Sequence, residues 1–299
     1  MDNTRCLFVS IIGEPNAGKS TLLNAIVGEK VSIISHKAQT TRRKIRGIAN
    51  FGNSQIVFTD TPGFCIDSRV RSSLDEIVSS NFWNSFRDSD LILLLIDATS
   101  KSLRSTFSFL EKMKKGTDSL VVAINKVDIA RKENLLKIAN SLIEFDFIKK
   151  VFMISAKTND GIEDLIAFLI ENTVEEPWFF GENQTTDADV KFMLSEITRE
   201  KLFLVLEQEL PYSIYVETEA LTETEKKARI HQSIVVLKDS QKAIVLGHSG
   251  GMIKSIKDAA ITDMKKLLNK KVELKLFVKV REKWTEKKGY LQDAGIIDH

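Results

Sequence analysis

An α/β domain with a mostly parallel sheet, followed by a smaller α+β domain, is the fold class this sequence predicts. Three observations carry the prediction. Short apolar runs alternate with amphipathic helical patterns up to about residue 174. The alternation stops at Glu175-Glu176-Pro177-Trp178-Phe179-Phe180-Gly181, which has turn residues and no period. The chain has 299 residues, a length that suits about two domains.

In the first part, Leu7 to Ile12, Gln55 to Thr59, Leu91 to Ile96, Leu120 to Ile124 and Val151 to Ile154 are apolar and strand-like. Between them, Lys19 to Ile26, Ser72 to Phe86, Leu103 to Lys114, Leu135 to Phe145 and Ile162 to Ile170 have helical spacing. Short apolar strands alternating with amphipathic helices suit a sheet covered on both faces. The second part opens with a long helix, Asp189 to Glu209, ended by Pro211. Strands Ile214 to Glu219 and Ile230 to Lys238 follow. Then come a short apolar stretch at Ala243 to Leu246, a glycine-rich turn, a helix from Met252 to Leu268 and a strand from Val272 to Val280. The expected boundaries are 1–174 for the first domain, 175–188 for a linker, 189–288 for the second domain and 289–299 for a tail.

Composition is that of a folded protein, with 43% hydrophobic and 28% charged residues. The longest near-continuous apolar run, Leu91 to Ile96, is far short of the ~20 residues needed to span a bilayer. The N-terminus lacks the layout of a signal peptide, so a cytoplasmic location is expected. Cys6 and Cys65 cannot make a disulfide framework or a cysteine zinc site, and four scattered histidines do not add one. Net charge is only +2, yet its distribution is uneven. Residues 175–225 carry a net −10 and residues 226–288 a net +11. Such a block is either a solvated set of helix faces or a surface that meets nucleic acid.

Gly13-Glu14-Pro15-Asn16-Ala17-Gly18-Lys19-Ser20, followed by Thr21, matches the phosphate-loop pattern G-x-x-x-x-G-K-[ST] without a gap. It follows a predicted strand and opens a predicted helix, as that motif requires. Glycines let the backbone approach an anion, and the helix N-terminus offers its N–H groups. Lys19 adds a point charge at the β- and γ-phosphates, and the Ser20 hydroxyl can ligate Mg²⁺.

Three more segments lie at predicted strand ends. Asp60-Thr61-Pro62-Gly63 offers a carboxylate for Mg²⁺ and a Gly63 N–H for the γ-phosphate. Asn125-Lys126-Val127-Asp128 offers a carboxylate that only accepts hydrogen bonds, which suits guanine's two adjacent donors and not adenine. Ser155-Ala156-Lys157 offers backbone N–H for the guanine oxygen, and the stems of Lys126 and Lys157 cover the faces of the base. Together these point to GTP and GDP with Mg²⁺ as the ligands.

With Lys37-Ala38-Gln39-Thr40-Thr41-Arg42 between the first two motifs, the sequence resembles the Era family of bacterial GTPases over nearly its whole length. The resemblance implies a P-loop GTPase domain followed by a type II KH domain. It makes Thr41 the Mg²⁺ ligand of the first switch, with Thr40 as runner-up, and so names Lys19, Thr41 and Gly63 as catalytic. Phe64 stands where Ras-like proteins place the glutamine that orients water, and implies slow intrinsic turnover. Related GTPases with that replacement bind K⁺ at the position of Asn16; the other reading of Asn16 is a plain turn residue.

In the second domain, Gly247-His248-Ser249-Gly250 is a GxxG turn flanked by Lys242, Lys254 and Lys257. A KH turn of this kind grips about four single-stranded nucleotides. Ile244, Leu246, Ile253 and Ile256 are candidates for its floor, with at least half expected in the core. His248 and Ser249 replace the lysine usual between the glycines. The resemblance further implies the 3′ end of 16S rRNA and the small ribosomal subunit as partners, in late assembly, and some peripheral contact with the inner membrane. No DNA or protein partner is inferred. Two alternatives stay open: a nucleotide-gated RNA-binding scaffold with negligible turnover, and a GTPase acting on tRNA or the large subunit.

Overall fold

The structure is a computed structural model describing residues 4–34, 45–61, 89–113, 119–207, 210–286 and Gly289. Thr40, Thr41, Pro62, Gly63, Phe64, Cys65 and the expected helix Ser72 to Phe86 lie outside the described residues, as does most of the tail. The described residues form two compact units. The first runs to Ser32 and from Ile45 to Asp187; the second holds Ile33, Ile34 and the residues from Ala188 onward.

The first unit comprises β1 (Arg5–Gly13), α1 (Lys19–Val27), β2 (Ile45–Phe51), β3 (Ser54–Asp60), β4 (Leu91–Asp97), α2 (Arg104–Met113) and β5 (Leu120–Asn125). After these come α3 (Lys132–Leu142), β6 (Ile148–Met153), α4 (Ile162–Glu171) and β7 (Val174–Glu175). Among the described residues the strand order is β2-β3-β1-β4-β5-β6, with β7 paired to β1. β1, β3, β4, β5 and β6 run parallel, and β2 is antiparallel to β3. Alternate residues of β1 serve opposite layers. Leu7, Val9 and Ile11 pack with Leu22, Leu23, Leu165 and Leu169 of α1 and α4. Ile12 joins Phe109, Leu110, Ile138 and Leu142 of α2 and α3 on the other side. Burying each such side chain stabilises the fold by about 1.5–3 kcal/mol.

β2 is a strand that its composition hides, because Gly47, Ala49 and Asn50 are poor strand formers. Packing demands the glycine: a Cβ at Gly47 would lie 2.5 Å from Leu23 Cδ1 of α1. Residues 175–187 cluster with the first unit. Gln55 Oε1 accepts the N–H groups of Phe179 and Phe180, and Trp178 Nε1 donates to Asn53 O at 3.1 Å. Ile48 N–H donates to Thr185 O at 2.9 Å.

The second unit comprises α5 (Val190–Val205), β8 (Tyr215–Glu223), β9 (Lys227–Val236), α6 (Asp239–Leu246), α7 (Gly251–Leu268) and β10 (Lys271–Val280). Its sheet order is β10-β9-β8, with β10 parallel and β8 antiparallel to β9. Leu194 and Ile197 of α5 and Ala260 and Met264 of α7 pack on Ile230 and Leu274. A buried polar row fixes α5 against the sheet. Thr198 Oγ1 donates to Gln232 Oε1 at 2.6 Å, and Gln232 Nε2 donates to Thr218 Oγ1 at 2.9 Å. α6 contains the stretch read as merely apolar; with Val245 its one buried residue, it has no hydrophobic period to betray a helix. The long helix ends at Val205, four residues before the expected Glu209. Among the described residues, no helix is long and apolar enough to cross a membrane.

Candidate nucleotide site and nucleic-acid turn

In the first unit, the C-terminal ends of the parallel strands bring the motifs together. Gly13 ends β1, Asp60 ends β3, Asp97 ends β4 and Asn125 ends β5, and Ser155 follows β6 closely. Their register is fixed by the sheet: Ile11 pairs with Asp60, Gly13 with Leu95, and Asp97 with Asn125. Ligands of open parallel sheets bind at such an edge.

The loop between β1 and α1 has the conformation a phosphate cradle needs. Gly18 adopts φ 100° as it opens α1, and Asn16 adopts φ 64°. A Cβ at Gly18 would stand 2.3 Å from Asn125 Nδ2, so the close approach excludes any side chain. Lys19 Nζ turns back across the loop and donates to the carbonyls of Gly13 at 3.1 Å and Glu14 at 3.0 Å. Burial pushes the Lys19 ammonium down to about 8, against the pull of Asp60 and Glu14. Ala17 is buried, Pro15 and Ser20 are half-buried, Asn16 is exposed and Thr21 is half-buried at the start of α1.

Glu14 does not face the phosphate region as a free carboxylate. Its Oε1 accepts from Thr106 N–H at 3.1 Å and Thr106 Oγ1 at 2.9 Å, in the first turn of α2. That turns the carboxylate toward the first turn of α2, where a helix N-terminus favours negative charge, while its charge still acts on Lys19.

Asp60 is fully buried. Its Oδ2 accepts from Ser20 Oγ at 2.7 Å and from Ser32 Oγ at 2.8 Å. One carboxylate and two hydroxyls thus converge, a set of hard oxygen donors that fits Mg²⁺. Ser20 and Asp60 would hold the ion, and it would supply charge neutralisation for phosphate oxygens. Ser32 is an addition that no motif signalled. Thr61 Oγ1 donates to Ile11 O at 2.8 Å, fixing the chain as it leaves β3.

Asn125 joins the two halves of the site. Its Nδ2 donates to Ala17 O at 2.8 Å, and its Oδ1 accepts from Ala156 N–H at 2.9 Å. The phosphate loop and the Ser155-Ala156-Lys157 turn are therefore held by one amide. Lys126 has φ 67°, and its Nζ pairs with Asp97 Oδ2 at 2.6 Å. Asp97 is oriented in turn by Thr99, whose N–H and hydroxyl both donate to Asp97 Oδ1. Sequence reasoning passed over Asp97, although an aspartate ending a predicted strand was a signal. Val127 N–H donates to Ile154 O at 3.2 Å. Asp128 and Lys157 are exposed, and Ser155 is buried and accepts from Thr158 N–H at 3.2 Å.

In the second unit, Gly247 ends α6 with φ 72°, and Gly250 enters α7 with φ 75°. A Cβ at Gly247 would meet Met252 Cβ at 2.6 Å, while Gly250 has open space around it. His248 and Ser249 are exposed between them, with Lys254 exposed and Lys242 and Lys257 half-buried. Of the proposed floor residues, Ile256 is core and Ile244 is 52% exposed; Leu246 and Ile253 lie between.

Comparison with known proteins agrees with both units. Residues 8–126 match the family model of the 50S ribosome-binding GTPases, and 78–175 that of the elongation factor Tu GTP-binding domain. Residues 209–285 match the KH domain model. The chain is 46% identical to GTPase Era of Rhizobium meliloti (strain 1021) over 98% of its own length and 93% of that protein. It also matches the crystal structure of Era in complex with MgGDPNP and nucleotides 1506–1542 of 16S ribosomal RNA, at TM-score 0.90 and 31% identity. That match covers 98% of this chain and 99% of the other. A structure of an Aquifex aeolicus Era variant bound to GDP and AlF4⁻ matches equally well, at TM-score 0.90, 31% identity and the same coverage. With one amide clamping the phosphate loop to the Ser155-Ala156-Lys157 turn, and a GxxG turn in a separate α+β unit, the chain belongs to the Era family of GTPases.

Proposed function

We propose that this chain is a switch that hydrolyses GTP to GDP and phosphate and binds single-stranded 16S rRNA, near its 3′ end, during small-subunit assembly. The observation that supports the GTP half is the Asn125 bridge, which ties the phosphate loop at Ala17 to the Ser155-Ala156-Lys157 turn at one sheet edge. Lys19, Thr41 and Gly63 act on the γ-phosphate, Ser20, Thr41 and Asp60 hold Mg²⁺, and Asp128 reads guanine. Lys19 holds negative charge as it develops, so its proton must be in place when GTP enters. Asn16 takes K⁺ beside the phosphates, in place of the missing glutamine. The RNA half rests on the GxxG geometry: Gly250 leaves room for a sugar-phosphate backbone, and Lys254 and Lys257 supply charge.

The domain assignment that goes with this reading is 1–174 for the GTPase domain, 175–188 for a linker that clusters with the first unit as far as Asp187, 189–288 for the KH domain and 289–299 for a tail. The protein works in the cytoplasm, and any contact with the inner membrane is peripheral, through surface charge. The test is equilibrium binding of GTP, GDP and ATP, repeated with a short single-stranded RNA. Tight guanine nucleotide binding, ATP at least about 100-fold weaker, and RNA binding lost in Gly250→Asp are expected. Equal affinity for ATP and GTP would overturn the reading.

A further inference from the structure

The outer face of the second unit's sheet, opposite α5 and α7, carries an unexplained pattern. Along β10 every second residue is exposed: Lys271, Glu273, Lys275, Phe277 and Lys279. The residues between them turn to the core. On the adjacent β9, Lys227 lies across from Lys271, Arg229 across from Glu273 and His231 across from Lys275. Cations outnumber carboxylates here. Lys227 and Arg229 share Glu273 at 2.6 and 3.4 Å, and Lys279 pairs with Glu219, whose carboxyl is held low by that contact. Lys271 and Lys275 make no ion pair among the described residues.

Phe277 is 51% exposed among these residues, on the edge strand β10. Lysines on an edge strand are explained by the need to block strand addition. A half-exposed aromatic ring is not, because it works against that protection. Lys275 and Lys279 stand two residues to either side, about 7 Å away along the strand. A ring for stacking set between ammonium groups for phosphates is what sequence-tolerant single-strand binding uses.

We infer that this sheet face is a second RNA-binding surface, on which Phe277 stacks a base and Lys275 and Lys271 meet phosphates of RNA running beyond the GxxG groove. The inference rests on the RNA-binding reading above.

The experiment compares two RNAs on the full-length protein: a short oligonucleotide that fits the GxxG groove, and the whole 16S fragment 1506–1542. Phe277→Ala is expected to weaken the long fragment about tenfold. Phe277→Tyr restores it, because the ring remains. Lys275→Ala lowers the slope of log affinity against log salt by about 0.7. Short-oligonucleotide binding stays at the wild-type level in all three. Unchanged long-fragment affinity in Phe277→Ala overturns the inference. So does a change in oligomeric state by sedimentation with Phe277→Ala, which would make the ring a contact between copies. The groove itself is tested by Gly250→Asp on the short oligonucleotide, so failure there is read separately from failure at the sheet.

Discussion

The Glu14 carboxylate and Thr106 are tied by two hydrogen bonds, at 2.9 and 3.1 Å, although 92 residues separate them. A residue inside the phosphate loop is thus the partner of the first turn of α2. Thr106 is 1% exposed, so its N–H has no water to turn to if the carboxylate goes. Glu14→Ala is expected to cost about 1–2 kcal/mol in a urea melt, the range for a lost cap or an orphaned buried donor. Glu14→Gln, which keeps an acceptor, should cost clearly less. A melt of Glu14→Ala that superimposes on wild type would show the contact to be incidental.

Lys19 makes the empty site sensitive to pH. Its folded value is lowered to about 8 by burial, while the unfolded chain keeps the ordinary 10.5. Between those values the unfolded state binds more protons, so the stability of the empty protein rises with pH across the window. Below about 8 the full cost of the buried ammonium is present. Polyphosphate reverses this by favouring the charged form. Nucleotide binding at pH 9 should therefore take up a proton, and affinity should fall as pH rises above about 8. Calorimetry in two buffers of different ionisation enthalpy checks the uptake. In Lys19→Met the proton uptake should vanish.

Gly18 is the residue around which the site closes. With φ 100° and Asn125 Nδ2 only 2.3 Å from a would-be Cβ, Gly18→Ala must displace the amide that holds both loops. The expected loss of GTP affinity is about 10–100-fold, or about 1.4–2.8 kcal/mol. Fluorescent GTP-analogue binding measures it. Gly28→Ala is the control, since nothing lies within 4 Å of a Cβ there and its strain at φ 79° sits at the far end of α1.

Asp97 orients Lys126, whose stem is assigned to the face of the base. Asp97→Asn removes the charge and leaves the shape, and should weaken GTP and GDP equally, by about fivefold, near 1 kcal/mol. A change confined to GTP would tie Asp97 to the γ-phosphate instead.

Much of the nucleotide site was legible because its chemistry dictates residue types at fixed offsets. Only glycine suits the close approach at Gly18, and a carboxylate is what the proposed guanine contact at Asp128 requires. The supporting partners were not legible, since Ser32, Asp97 and Thr106 acquire their roles from where the sheet and α2 bring them. The same holds for elements. β4 and β5 announce themselves by unbroken apolar runs and β1 by one broken only at Ser10, whereas β2 is a strand because β3 and α1 make it one. α6 has too few buried residues to show a period. The alternation along β10 was visible as a strand, but that its Phe277 stays uncovered is a property of the folded unit.

The central claim is that Asp128 reads a guanine whose phosphates lie on the Lys19 loop. The most direct measurement is the affinity of Asp128→Asn for GTP and for xanthosine triphosphate. The xanthine base carries an oxygen where guanine carries its amine, so the account predicts GTP binding reduced by about 100-fold or more and xanthosine triphosphate binding gained. A variant that still prefers GTP by the wild-type margin would contradict it.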